Sequence, residues 1–312
     1  MRGLEIAKAY FEAFGQEMIE KQFSDCADRI AAGLVGEGSE CFGFDDEVSK
    51  DHDFEPAFCL WITEEDERKF GFRLERAYAK LPKEFMGLHR QRVSPVGGGR
   101  HGVLVIEDFY RRFLGSPGAP ESAEQWLYLP ESALAAACNG EVFRDPLGKF
   151  SEIRRILLAG FPEDVRKKKL AARTVLMAQA GQYNYERCVS RGETGAAQLA
   201  VFEFVRNAIS AVYLLNNRYE PFYKWAYRGM RGLPLLPELE VSLVRLTETG
   251  NAAAEAREKQ ELIEEIAGKF IAEFKAQGLT RATCNNLETH AYSITDSIKD
   301  AEIRNMHIME GV

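Results

Sequence analysis

Gly36-Glu37-Gly38-Ser39-Glu40-Cys41-Phe42-Gly43-Phe44-Asp45-Asp46-Glu47-Val48-Ser49-Lys50-Asp51-His52-Asp53 is the stretch on which the reading of the whole chain turns. It leaves an apolar segment at 30–35 through glycine and serine, and enters a second segment, 52–63, through two alternating acids. Side chains two residues apart on a strand share a face, roughly 6.5 to 7 Å apart along the backbone. That spacing directs Asp51 and Asp53 to one site and His52 away from it. Two carboxylates on one face repel, and a hard cation with oxygen ligands relieves the repulsion. Magnesium suits the position, because it bridges to phosphate oxygens, and two such ions roughly 3.5 to 4 Å apart stabilise attacking and leaving oxygens together. Gly38 permits close backbone approach. The Ser39 hydroxyl and nearby N–H groups, expected at a helix N-terminus, suit the outer phosphates of a nucleotide. Each half has a plain alternative: a Gly-Ser pair is ordinarily a turn, and an Asp-x-Asp is ordinarily exposed charge. Set together between two strands, they predict an anion grip facing a cation grip.

Before this stretch, Leu4, Ala7, Phe11, Phe14, Met18, Ile19 and Phe23 recur at three- and four-residue steps, which predicts an amphipathic helix from 4 to about 29. Residues 30–35 read as a short buried strand ended by Gly36 and Gly38. Beyond it, Ala57-Phe58-Cys59-Leu60-Trp61-Ile62 is continuously apolar, as in a strand covered on both faces. Thr63 then caps a helix to about 81, with Glu64, Glu65 and Asp66 in its first turn. A glycine-rich segment at 97–102 precedes a third strand, Val103-Leu104-Val105-Ile106, and Glu107-Asp108 opens another helix. After a Pro and Gly loop near 116–120, helical periodicity takes over, with helices predicted near 122–128, 131–137, 149–159, 162–182, 194–217, 220–229, 237–247 and 251–277. The expected class is α+β: an α/β domain with a small mixed sheet over 1–118, then a helical bundle domain over 119–312 with a mixed tail.

Composition narrows the function. Hydrophobic residues make up 46% and charged residues 28%, so both domains are expected to be compact. A net charge of -8 disfavours duplex nucleic acid as a partner and favours a small molecule. The run Arg166-Lys167-Lys168-Lys169 is read as the solvated face of a helix. Six cysteines show no CxxC pairing, and the start of the chain lacks an apolar signal core, which predicts a reducing cytoplasm with neither structural zinc nor a membrane partner. Phosphate-loop, nucleophile-elbow and HExxH motifs do not occur.

The arrangement of strand, Gly38-Ser39, about ten residues, and Asp51-His52-Asp53 resembles the DNA polymerase beta-like nucleotidyltransferase superfamily. Within it, the sequence is similar to the bacterial proteins grouped as domain of unknown function 4037. Similar segments continue through Trp126-Leu127, Pro130-Glu131, Gly140-Glu141-Val142-Phe143, Phe161-Pro162, and Arg218-Tyr219 with Pro221-Phe222-Tyr223-Lys224-Trp225. The resemblance implies a magnesium-dependent transfer of a nucleoside monophosphate from an NTP, with ATP foremost, to a small-molecule acceptor. Asp51 and Asp53 would hold the metal and Ser39 the phosphates. A third carboxylate ordinarily comes from a later strand, which points to Glu107, with Asp108 beside it. Lys224, in an aromatic-rich stretch, is the candidate for a phosphate or an anionic substrate, or else snorkels outward from a packed helix. Asp45 and Asp46 suit either a cation or a turn or helix cap. Two rivals stand beside the enzyme: a nucleotide-binding regulator or toxin-antitoxin component with little or no turnover, and an interaction protein whose acids are simply solvated. Oligomerisation is left open.

Overall fold

The computed structural model describes residues 1–47, 55–90 and 99–312. Asp51 and Asp53 therefore lie outside the described residues. The chain separates into two compact units, the first formed by 1–120 and 132–159, the second by 121–131 and 160–312.

A four-stranded sheet organises the first unit, built from β1 (Ala31–Leu34), β2 (Cys59–Ile62), β5 (Gly102–Val105) and β6 (Glu141–Arg144) in the order β5-β2-β1-β6. Two further strands, β3 (Glu84–Phe85) and β4 (Leu88–His89), make a separate hairpin. In the main sheet β1 runs antiparallel to both β2 and β6, while β2 and β5 are parallel, so the sheet is mixed, as expected. The apolar run produces a strand covered on both faces: Cys59, Leu60, Trp61 and Ile62 are fully buried. Leu60 and Ile62 join Tyr10, Phe11, Ile19 and Phe23 from the first helical segment. Trp61, pointing the other way, stacks on Phe150 at 4.0 Å between ring centroids.

Three expectations change here. The strand predicted from 52 begins at Cys59, and 55–58 carry no strand; instead the Tyr78 hydroxyl donates to the Phe58 carbonyl at 2.8 Å. A strand also forms where only helices were expected, because β6 supplies β1 with its second neighbour, pairing Gly33 with Val142 and Leu34 with Glu141. Finally, the helix predicted over 4–29 is α-helical over Gly3–Tyr10 and Gln16–Gln22 with a π-helical turn, Phe11–Gly15, between them.

The second unit is helical. Its helix Glu163–Met177 packs against Thr194–Leu215 and Leu287–Asp296. Among the described residues only Thr194–Leu215 is long and apolar enough to cross a membrane by length and composition, and 67% of its apolar window is buried in the protein.

The basic run overturns its reading as a solvated face: Arg166, Lys168 and Lys169 are buried. Their charges meet carbonyl oxygens, many of them in the C-terminal segment. Lys167 donates to Ser297 O at 3.3 Å, Lys168 to Met306 O at 2.7 Å, and Lys169 to Gly311 O at 2.7 Å and Leu127 O at 3.1 Å. Arg166 pairs with Glu163 and reaches Leu214 O. Desolvating an ammonium costs several kcal/mol unless its donors are satisfied. The tail supplies that satisfaction, which is how its otherwise mixed sequence acquires a fixed place.

Candidate functional site

The end of β1 runs into Gly36-Glu37-Gly38, and Gly38 precedes a single helical turn, Ser39–Phe42. The helix expected here is four residues long, so its dipole is slight. The loop is held from a distance. Asn139 accepts from Gly36 N at 2.9 Å and donates to Gly36 O at 2.7 Å, and Gly140 N donates to Cys41 O at 2.8 Å. Gly140 has a left-handed φ of 60°, and a Cβ there would meet Leu34 O at 1.9 Å, so only glycine brings this turn against β1.

Beside the loop lies a cavity of about 180 Å³. Gly38, Glu40, Arg100, His101, Asp108 and Arg112 are among the residues that line it. Gly38 lies close to two charged side-chain ends: the position its Cβ would take is 1.9 Å from Glu40 Oε1 and 2.4 Å from Arg100 Nη2. Two arginines thus reach the cavity, and each is tied to an acid of the loop: Arg100 to Glu40 at 3.2 Å and Arg112 to Glu37 at 2.5 Å. His101 Nδ1 lies 3.3 Å from Glu55 Oε1, a partly buried pair. Burial raises the Cys41 thiol and pushes Cys59 up to about 12, so both stay protonated and offer no nucleophile.

Gly38 lines the cavity, and half-buried Ser39 is the first residue of the turn beside it. Glu107 is elsewhere. It lines a separate cleft with Arg29, Glu64 and Lys149, accepts from Glu64 N at 3.1 Å, and pairs with the Lys149 ammonium. Burial works to raise its carboxyl, but the hydrogen bond from Lys149 and backbone donors hold it below the ordinary value. Asp108, its neighbour, does line the cavity, and pairs with Arg111. Asp45 acts as a cap, its Oδ2 accepting from Gly3 N at 2.8 Å at the start of the first helix. Lys224 belongs to the second unit, exposed, with its ammonium 5.2 Å from the Trp225 ring.

Arg100, Arg112 and Asn139 had no part in the sequence reading of the site. Arg100 stands in the glycine-rich segment and Asn139 next to Gly140. That these segments meet the chain after β1 is decided by pairing across 60 residues for Arg100 with Glu40 and 103 for Asn139 with Gly36. Among the described residues no group of three or more His, Cys, Asp or Glu is arranged to hold a metal.

Residues 126–226 match the family model described as Domain of unknown function (DUF4037). The match supports the resemblance to that family in this part of the chain, and does not include the stretch from Gly36 to Asp53. No curated protein and no solved structure matches the chain significantly.

Proposed function

We propose that the chain is a nucleotidyltransferase of the DNA polymerase beta-like superfamily, moving a nucleoside monophosphate from an NTP, with ATP first among the candidates, to a small-molecule acceptor. The observation that carries this reading is the cavity beside the turn after β1, lined by Gly38 together with two arginines, Arg100 and Arg112. Such a surface suits a polyphosphate: backbone can approach closely, and guanidinium groups match phosphate oxygens with paired donors. Arg100 and Arg112 hold and orient the phosphates, and Ser39 adds a hydroxyl donor. Asp51 and Asp53 are the oxygen donors for magnesium, which when bound neutralises charge on the phosphates. Lys224, exposed in the helical unit, is proposed to hold an anionic group.

A second reading, a nucleotide-binding regulator with little or no turnover, draws on Glu107. Already engaged by Lys149 and Glu64 N in another cleft, it is a poor third carboxylate. Calorimetry with ATP, CTP, GTP and UTP, with and without magnesium, alongside an assay for pyrophosphate release, separates the readings. The enzyme requires magnesium-dependent binding and pyrophosphate release in the presence of acceptor. Binding without release selects the regulator, and no binding removes both. The paired change Asp51→Asn with Asp53→Asn should abolish magnesium-dependent turnover and leave the melting temperature equal or slightly higher. Loss of activity that merely tracks unfolding would count against the metal pair.

A further inference from the structure

The two arginines of the cavity are already answered by acids of the turn they face. Arg100 Nη2 donates to Glu40 Oε1 at 3.2 Å, and Arg112 Nη2 donates to Glu37 Oε2 at 2.5 Å. Glu37 and Glu40 flank Gly38-Ser39, one on each side. A third acid of the lining, Asp108, pairs with Arg111. Among the described residues the lining thus sets three carboxylates against two guanidinium groups. A polyphosphate entering there meets no surplus of positive charge, and each carboxylate close to it repels it.

Glu40 stands nearest to the turn. Its Oε1 lies 1.9 Å from where a Cβ on Gly38 would be, so its carboxylate, with the Arg100 guanidinium beside it, covers the glycine. A phosphate approaching the backbone at Gly38 requires that carboxylate to swing aside. The covering atoms are the far end of a flexible side chain rather than backbone, so a change of rotamer is enough. Both pairs also keep contact with water: the Glu40 and Arg100 side chains are 12% and 32% exposed, and Glu37 and Arg112 about half exposed. Ion pairs at such positions contribute little to stability, and phosphate oxygens take the same guanidinium donors as carboxylate oxygens, so one anion can replace the other without disturbing the fold.

We propose that Glu40, assisted by Glu37, is an internal stand-in for phosphate: it holds Arg100 over Gly38 and yields the guanidinium to an incoming polyphosphate, so that the turn resists metal-free anions. This gate rests on the reading of the cavity as a polyphosphate site, and gives the acids of the turn a role opposed to binding.

Isothermal titration calorimetry of the full chain with inorganic tripolyphosphate in EDTA tests it, beside a parallel titration with magnesium ATP. Glu40→Gln and Glu40→Ala are expected to tighten tripolyphosphate binding roughly fivefold or more, and Glu37→Gln by a smaller factor, with melting temperatures close to the parent's. Added salt should shrink the gain, because the repulsion removed is screened. Should Glu40→Ala unfold, Glu40→Gln and Glu37→Gln carry the same test. If the parent binds magnesium ATP but the folded Glu40 variants bind tripolyphosphate no better than the parent, the gate is overturned and the nucleotide reading stands, with Glu40 serving to orient Arg100. No binding of either ligand by parent or variants removes the nucleotide reading and the gate with it.

Discussion

The two units handle charge in opposite ways. Around the cavity of the first, arginines and acids pair at partly wet positions: Arg112 and Glu37 are about half exposed, at 47% and 52%. In the second, Lys168 and Lys169 are buried and answered by backbone carbonyls, and Glu131 is buried with one oxygen unmatched. A wet ion pair is screened and can re-form with a ligand's charges, so it suits a site that must exchange partners. A buried charge cannot re-pair with solvent. Its geometry is imposed by the packing and imposes order in return, here on a C-terminal segment of little intrinsic helical pattern.

The contrast is broken most severely at Lys169. Lys169→Met keeps the volume but strands the carbonyls of Leu127 and Gly311 and leaves buried Glu131 without one of its cations. A loss of about 3 kcal/mol or more is expected from urea denaturation, in the range for breaking a buried charged interaction. A loss below about 1 kcal/mol would place Lys169 among surface lysines and remove the difference between the units.

Glu220 tests the same contrast through pH. Its carboxyl titrates near 7 when folded, chiefly because of burial, against an ordinary value of 4.5. Below 4.5 both states are protonated and no cost arises. Between 4.5 and 7 the unfolded chain has lost a proton that the folded chain retains, so stability falls as pH rises, and the cost is complete above 7. Glu220→Gln never ionises, so it should melt roughly 2 to 4 °C above the parent at pH 8 and match it at pH 4.5. Equal melting temperatures at both pH values would show that Glu220 is effectively solvated.

The smallest stability effect belongs to the first unit. Arg112→Gln removes a half-exposed pair, and stability should change by no more than about 0.5 kcal/mol. Calorimetry should nevertheless show severalfold weaker binding of magnesium ATP. A variant that unfolds more readily but binds equally well would reverse the assignment of Arg112 from ligand contact to structural brace.

Most elements were legible because their signals are local. Thr63 read as a cap does cap, its Oγ1 accepting from Asp66 N at 3.2 Å, and predicted 194–217 appears as Thr194–Leu215. The glycines at 36 and 38 marked the end of β1 correctly. Of the candidate site, the turn after β1 was legible, because glycines after a buried strand mark where the chain leaves the sheet, and Gly38 lines the cavity there. Glu107 misled because a strand-end acid looks the same whether it faces a cavity or, as here, caps Glu64 N in the neighbouring cleft.

Periodicity, caps and glycine placement, read residue by residue, determined the α+β class, the run of helices after 120 and the position of the loop after β1. Each depends on interactions within a few residues, and these leave a mark in the order of the side chains. Tertiary structure alone decided that β6 closes on β1, that Arg100 and Arg112 line one cavity with Gly38, and that a run of four basic residues turns inward. Those outcomes depend on partners far away in the chain, as Gly311 is from Lys169, and a lysine carries no local sign of whether water or a distant carbonyl will satisfy it.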